Sequence, residues 1–518
     1  MSQKTEQSTS SSRRFTLSLP LLLFFALGIL GIYFVNTCLL DDWRMAIYFD
    51  MDAFGCVKGL ISILNTNAYI QPTHPYVKGY GQFYFWLGIL TLKIMSYFQT
   101  PLTDIHLFLA MRWVCFIFGF SSLILYFPIQ KVFKLPRFFP YFAIFVTLTT
   151  PEFFYYLFSP KSQTLWFFFS TLSILLTKVY LDNPSVKRLS YLGAATGLAA
   201  AGNVMGLFLI PTVSFVLLLS RFALRTVKFK KISVEVGWYI LFSIVAFLLF
   251  TPRVLMNPFD SLHYWNGIHS TSYAASTYFS WEWWPRILDF GVATVSASLL
   301  CFFILLLNGK RRFLKNIQEY PEILFAAGPI TFICALGLTM HKHFNHRYLL
   351  WTLPIILIIG IRGSIFLGKK IQDYFKFNRL QTFSMGFLFL GIIVFGDYQR
   401  LRSDFLKIKG IIFYSSSSYV QAGLFLKEHY SFDKKVLYYF YWWVPQDFHQ
   451  AISFYPNVPS ISEIERISPE ILLLRDNENV ACASIIAAIE NHRLPFKLSR
   501  RIKDTSELGS DFLIFEHT

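Results

Sequence analysis

A succession of apolar stretches, most of them separated by short loops rich in Lys and Arg, dominates this chain. A helix that crosses a bilayer needs about 20 mainly apolar residues. Runs of that kind cover 17–38, 81–98, 105–127, 138–150, 164–181, 191–219, 236–250, 287–307, 323–340, 348–366 and 382–396. Of 518 residues, 54% are hydrophobic and only 15% charged, and Phe alone accounts for 58. A soluble domain cannot hide that much apolar surface, so the class is a polytopic α-helical membrane protein, with about 10–12 crossings expected.

The formal net charge of +17 points to a membrane and not to nucleic acid. The excess gathers in loops 131–137, 221–231, 310–315 and 362–379. Under the positive-inside rule these loops are cytoplasmic and face anionic lipid. Loops 40–80, 151–163, 251–284 and 341–347 then fall outside. One conflict follows. If 131–137 is inside, 81–98 is no simple crossing; it is a re-entrant or surface helix, or one boundary is misplaced. The run 191–219 is long for one crossing, and Gly202-Asn203 near its middle predicts two short helices in a hairpin.

Three parts are expected. Residues 1–14 are polar and Ser-rich and read as a disordered cytoplasmic tail. Residues 15–400 form the membrane domain. After Gly396 the composition turns polar, and 414–518 reads as a small extracytoplasmic α/β domain. Buried strands are expected at 436–442, 471–474 and 512–515, with a helix over 483–492. Absence of an Asn-X-Ser/Thr sequon fits a bacterial cell membrane. The six cysteines are scattered singly, without metal or disulfide spacing.

The chemistry concentrates in loop 40–80. Asp50-Met51-Asp52 begins an apolar pattern, Phe49, Phe54, Val57, Leu60, Ile61 and Leu64, that recurs at helical spacing as in a helix lying on a membrane surface. A carboxylate held at that interface can act as a general base, or can hold a divalent cation against a phosphate; the alternative is that both acids face water. Whether a metal takes part is left open. Further along, Pro72-Thr73-His74-Pro75-Tyr76-Val77-Lys78-Gly79-Tyr80-Gly81 makes a rigid turn that can bring Lys78 to a lipid phosphate. Asp41-Asp42 forms a second acidic pair, and His74 and Glu152 are possible acid or metal partners. Arg347, at the start of a span, can clamp a phosphate bidentately. His341 and His343 read as surface residues, and Arg112, inside a span, as structural.

Taken in order, Asp50-Met51-Asp52, Pro75 to Gly81, Arg347-Tyr348-Leu349-Leu350 before Pro354 and the small C-terminal domain resemble the GT-C superfamily of glycosyltransferases. The chain looks most like the polyprenyl/dolichyl-phosphate-mannose protein mannosyltransferase and aminoarabinose transferase branch. The resemblance implies an inverting hexosyl- or mannosyltransferase-like enzyme. It would take a sugar from a polyprenyl-phosphate donor and pass it to a protein, lipid or glycan acceptor on the extracytoplasmic face. It further implies Asp52 or Asp50 as the base and Lys78 and Arg347 as phosphate ligands. The segment Ser159 to Gln163 lacks the acid that many relatives carry there, so Glu152 stands in. The competing class is a transporter or flippase, which would place its charges at mid-membrane in broken helices. Here the acids cluster in outside loops, which favours the enzyme.

Overall fold

The computed structural model describes residues 26–33, 51–72, 74–98, 104–223, 229–261, 350–362, 418–439, 450–454, 459–475, 480–503 and 511–518, with a few isolated positions between. Asp41, Asp42, Asp50, His341, His343 and Arg347 lie outside the described residues, as do the runs expected at 287–307 and 382–396 and most of the run at 323–340.

After a helical stretch at 26–33, the membrane part continues with α1 (Met51–Thr66), α2 (Pro75–Tyr80) and α3 (Gln82–Phe98). Next come α4 (Asp104–Ile124), α5 (Tyr126–Val132), α6 (Phe139–Thr149) and α7 (Pro151–Phe158). Then follow α8 (Gln163–Asp182), α9 (Val186–Gly202), a 3₁₀ turn (Val204–Phe208), α10 (Leu209–Ala223), α11 (Phe229–Phe250) and α12 (Pro252–Met256). Helix α13 (Leu350–Arg362) closes the described bundle. Among the described residues, four helical runs are long and apolar enough to cross a membrane: Ile105–Val132, Gln163–Asp182, Val204–Arg221 and Lys230–Phe250. The chain is an integral membrane protein.

The break expected at Gly202-Asn203 is present. Helix α9 ends at Gly202, Asn203 caps the 3₁₀ turn by accepting from Met205 N (3.1 Å), and α10 starts again at Leu209. Close backbone approach fixes α9 against α11. A Cβ on Gly197 would meet the Ser243 carbonyl at 2.3 Å, so only Gly admits this packing. At the far end, Arg221 donates to both carboxylate oxygens of Glu235 at 3.2 Å and ties α10 to α11. Lys187, Arg188, Lys230 and Lys231 share that basic end with this pair.

One expected crossing needs correction, and a second bears on the loop charges. The run 138–150 is the 11-residue helix α6. At 1.5 Å per residue it reaches about 16 Å, roughly half a bilayer core. Pro140 starts it and Pro151 follows its end, which is why it is short. The run 81–98 is α3, 17 residues long. It pairs antiparallel with α4: Tyr84 Oη lies 3.3 Å from Cys115 Sγ, and Gly88 faces Met111. Helix α5 continues α4 onto α8. Helix α3 therefore runs away from the basic end instead of traversing to it, which is one of the alternatives the loop charges leave open.

The C-terminal part has its own sheet. Helix α14 (Ser418–His429) precedes β1 (Val436–Tyr439), β2 (Ile452–Phe454), α15 (Ile461–Ile467), β3 (Ile471–Arg475), α16 (Val480–Glu490), β4 (Phe496–Ile502) and β5 (Phe512–His517). The strand order is β2-β1-β3-β5-β4. The β1 pairings with β2 and β3 are parallel, and the β5 pairings with β3 and β4 antiparallel. Leu472 and Leu474 of β3 and Phe515 of β5 pack against Ile485 and Ile489 of α16, which is the core of an α/β unit.

Candidate functional site

The end of the bundle away from the basic residues holds a narrow cleft. It is lined by Lys78, Gly81, Gln82, Ala200, Val204, Phe247, Thr251, Arg253 and Ser261, among others. Each wall has a local cause. Pro75 starts α2, the carbonyl of His74 accepts from Val77 N (3.1 Å) and Lys78 N (3.3 Å), and one turn of helix carries Lys78 to the cleft. Gly81 then takes φ +91°, and a Cβ there would stand 2.3 Å from the Ala201 carbonyl. Glycine alone lets the α2–α3 turn press against the end of α9.

Gln82 is the clasp of this region. It is buried; its Nε2 donates to the carbonyls of Tyr69 (2.7 Å) and Ile70 (2.8 Å), and its Oε1 accepts from Arg253 N (3.4 Å). One amide thus fixes the loop before α2 and the start of α12. Pro252 occupies the first position of α12, so the chain turns sharply after α11 and delivers Arg253 inward, where it is 7% exposed.

The polar centre is a triad. Lys78 Nζ lies 3.4 Å from Asp260 Oδ2, and Arg253 donates to that same oxygen. Burial and the neighbouring Arg253 both hold the Lys78 ammonium below the ordinary lysine range. Two partly desolvated cations thus meet at the Asp260 carboxylate. An arginine beside a lysine has the donor geometry that suits phosphate oxygens.

The fold places the other sequence candidates unevenly. Asp52 lies in the first turn of α1. That helix confirms the expected periodicity, although its Cys56, Leu60 and Ile63 pack on protein and not on a membrane surface. His74 is the N-cap residue of α2; its ring stacks on Tyr76 at 6.0 Å, and burial, with a smaller effect of Lys58, pushes it toward the neutral form. Its closest link to the cleft is through its own backbone carbonyl, which helps position Lys78. Glu152 sits in the first turn of α7 and is not among the residues lining this cleft. In the segment after α7, Lys161 is buried, with its ammonium 5.3 Å from the Tyr156 ring centre. Among the described residues no group of three or more His, Cys, Asp or Glu side chains could hold a metal ion.

Sequence reading missed Arg253, Asp260 and Gln82. Arg253 carried a usable signal: Thr251-Pro252-Arg253 ends an apolar run just as Thr150-Pro151-Glu152 does. Asp260 had none, since 182 positions separate it from Lys78.

No family model matches the chain, and no curated protein sequence matches it. Solved structures do. ArnT from Cupriavidus metallidurans bound to undecaprenyl phosphate superposes with a TM-score of 0.53 at 10% identity, over 95% of this chain and 97% of that one. Its apo state gives 0.52 at 11% identity, with the same coverage. The oligosaccharyltransferase of Archaeoglobus fulgidus, tethered with an acceptor peptide, gives 0.45 at 10% identity over 88% of this chain and 69% of that one. The chain has the fold of ArnT along almost its whole length.

Proposed function

We propose that this chain is an integral-membrane glycosyltransferase that takes a sugar from a polyprenyl-phosphate carrier, with Lys78 and Arg253 holding the carrier's phosphate. The observation that carries the reading is the cationic cleft. Two cations and one acid meet at the mouth of an apolar bundle, opposite its basic end, in a chain with the fold of a protein solved with undecaprenyl phosphate. By the positive-inside rule that mouth is extracytoplasmic. In a bacterium the setting is the inner membrane, and the C-terminal α/β unit lies on the same outer side.

The chemistry follows from the charges. Asp52, or Asp50 beside it, accepts the proton of an acceptor hydroxyl on a protein, lipid or glycan. The freed oxygen attacks the anomeric carbon from the face opposite the phosphate, so the configuration inverts. The bond from that carbon to the phosphate oxygen breaks, and its electron pair stays on the phosphate. Lys78 and Arg253, with Arg347 as a further cation, stabilise the charge that develops there. The hexosyl or mannosyl type of the sugar is part of this proposal, and Glu152, Asp42 and His74 remain candidates as acid or metal partners.

The test is sugar transfer from polyprenyl-phosphate donors in vesicles by Lys78→Ala and Arg253→Ala. Loss of a charge-assisted hydrogen bond costs about 1.5–3 kcal/mol, so kcat/KM should fall roughly tenfold or more in each. Unchanged kcat/KM in both folded variants would rule the site out.

A further inference from the structure

The polar side chains around the cleft differ in whether the fold satisfies them. Gln82 spends both ends of its amide on backbone partners. Thr251 donates its hydroxyl to the Phe247 carbonyl one turn back. Ser243 and Thr177 do the same in their own helices, onto the carbonyls of Tyr239 and Ser173. A hydroxyl buried in a helix commonly settles on that carbonyl. Ser261 does not. It lines the cleft and is 3% exposed, yet its Oγ has no hydrogen-bond partner among the described residues. The carbonyl one turn back, that of Asn257, accepts instead from the Ser261 backbone N–H at 3.2 Å. Burying a hydroxyl without a partner is costly, and such an atom calls for a ligand or another cause. Ser170 of α8 is also buried and unpartnered, but it does not line the cleft.

We propose that Ser261 is a further ligand-binding residue of the cleft, its hydroxyl donating to an unesterified oxygen of the carrier's phosphate. The inference rests on the proposed reading of the cleft as the carrier-phosphate site. The size of the space supports it. The cleft encloses about 20 Å³, and one water needs about 10–15 Å³. It therefore admits a single oxygen and not a whole phosphate group. A phosphate ester meets that limit by inserting one unesterified oxygen and leaving its phosphorus and lipid arm outside. Ala200, Val204, Phe247 and Val254 make the rest of the wall apolar and keep water from competing for the contact. A hydrogen bond made in such surroundings is stronger than the same bond in water. Ser261 directly follows Asp260, so one short turn carries both this hydroxyl and the acid at which Lys78 and Arg253 meet.

The test is binding of a polyprenyl monophosphate, and of the corresponding polyprenol, to the full-length protein in detergent, beside thermal unfolding. Ser261→Ala removes an unpartnered hydroxyl, so the melting temperature should stay the same or rise. Binding of the lipid phosphate should weaken roughly tenfold, as for loss of a hydrogen bond to a charged group. Binding of the polyprenol should not change, because it carries no ionised oxygen. Ser170→Ala should leave both affinities at the wild-type value. The proposal is overturned if Ser261→Ala binds the lipid phosphate as the wild type does, or if it weakens phosphate and polyprenol alike. It is also overturned if melting temperature and affinity fall together, as for a structural hydroxyl, or if Ser170→Ala weakens phosphate binding equally. Failure of the underlying reading looks different: Lys78→Ala and Arg253→Ala would then bind the lipid phosphate as the wild type does. Weak binding in those two beside unchanged binding in Ser261→Ala refutes the role of Ser261 alone.

Discussion

At the mouth of the bundle, Lys78 and Arg253 meet at Asp260 and are mostly buried, whereas in the C-terminal sheet the charged pairs stay wet. Lys434 and Glu470 pair with side chains 41% and 45% exposed. Glu516 accepts from Tyr430 and from Ser499, which lies at 2.7 Å, and each of these acids is held below the ordinary carboxylate range by its donors. Exposed, balanced pairs contribute little to stability and have little affinity left for a ligand. A desolvated excess of one sign costs stability, and a protein keeps it where an anion has to be bound. Burial, more than charge count, separates the charged groups of the cleft from those of the sheet.

The largest effect should come from the base. Asp52→Asn, or failing that Asp50→Asn, keeps the size of the side chain but cannot take the acceptor proton, and should cut transfer about 10²–10⁴-fold. Asp42→Asn should matter far less. Transfer rates normalised to expression decide it: a dead Asp42→Asn beside active Asp50→Asn and Asp52→Asn moves the chemistry to the other acidic pair.

The next effect is in the pH profile. Because burial and Arg253 disfavour the Lys78 ammonium, Lys78 loses its proton at a lower pH than an ordinary lysine. Donor KM should therefore start to rise on the alkaline side before the usual lysine value of about 10.4. Lys78→Arg stays charged and should flatten that rise. A rise that persists unchanged in Lys78→Arg would assign it to another group.

Much of this molecule was legible in its sequence, and the illegible parts share a cause. The class, the break at Gly202-Asn203 and the strands at 436–439 and 471–475 follow from local pattern, because apolar runs and glycine act over a few residues. Strand β4 was missed: Phe496–Ile502 is exposed along most of its length, with Lys497, Arg500 and Arg501 in it, as edge strands often are. Strand β2 has only three residues. In the cleft, Lys78 was legible from its rigid turn and amphipathic neighbour. Its partners were not, because the contact joins α2 to the segment after α12 and depends on the Gln82 clasp, which exists only after folding.

A stability contrast sharpens the same point. Gly81→Ala should destabilise the protein and lower donor affinity, since its φ of +91° disfavours a side chain and its Cβ would strike the Ala201 carbonyl at 2.3 Å. A strained backbone position costs about 1–3 kcal/mol. Gly237→Ala, with nothing within 4 Å of its Cβ, should leave the melting temperature unchanged or slightly higher. Equal melting temperatures for the two variants would mean that the α2–α3 turn does not need glycine.

The smallest effect should come from the matched end. Tyr430 donates to Glu516 of β5 and lies 3.0 Å from Ser499 of β4, so Tyr430→Phe removes a link between α14 and the sheet edge. The sign with pH is set by Glu516. Its carboxyl is held down in the folded state, so the stabilisation is full above the unfolded glutamate value of about 4.3 and is lost as pH falls through the lower folded value. At pH 7, amide exchange in β4 and β5 should be faster in Tyr430→Phe than in the wild type by less than about tenfold, and the ratio should approach one in acid. Sugar transfer should not change. If Tyr430→Phe slowed transfer while exchange in the sheet stayed the same, this balanced network would be taking part in function, and the distinction between the two ends of the molecule would fall.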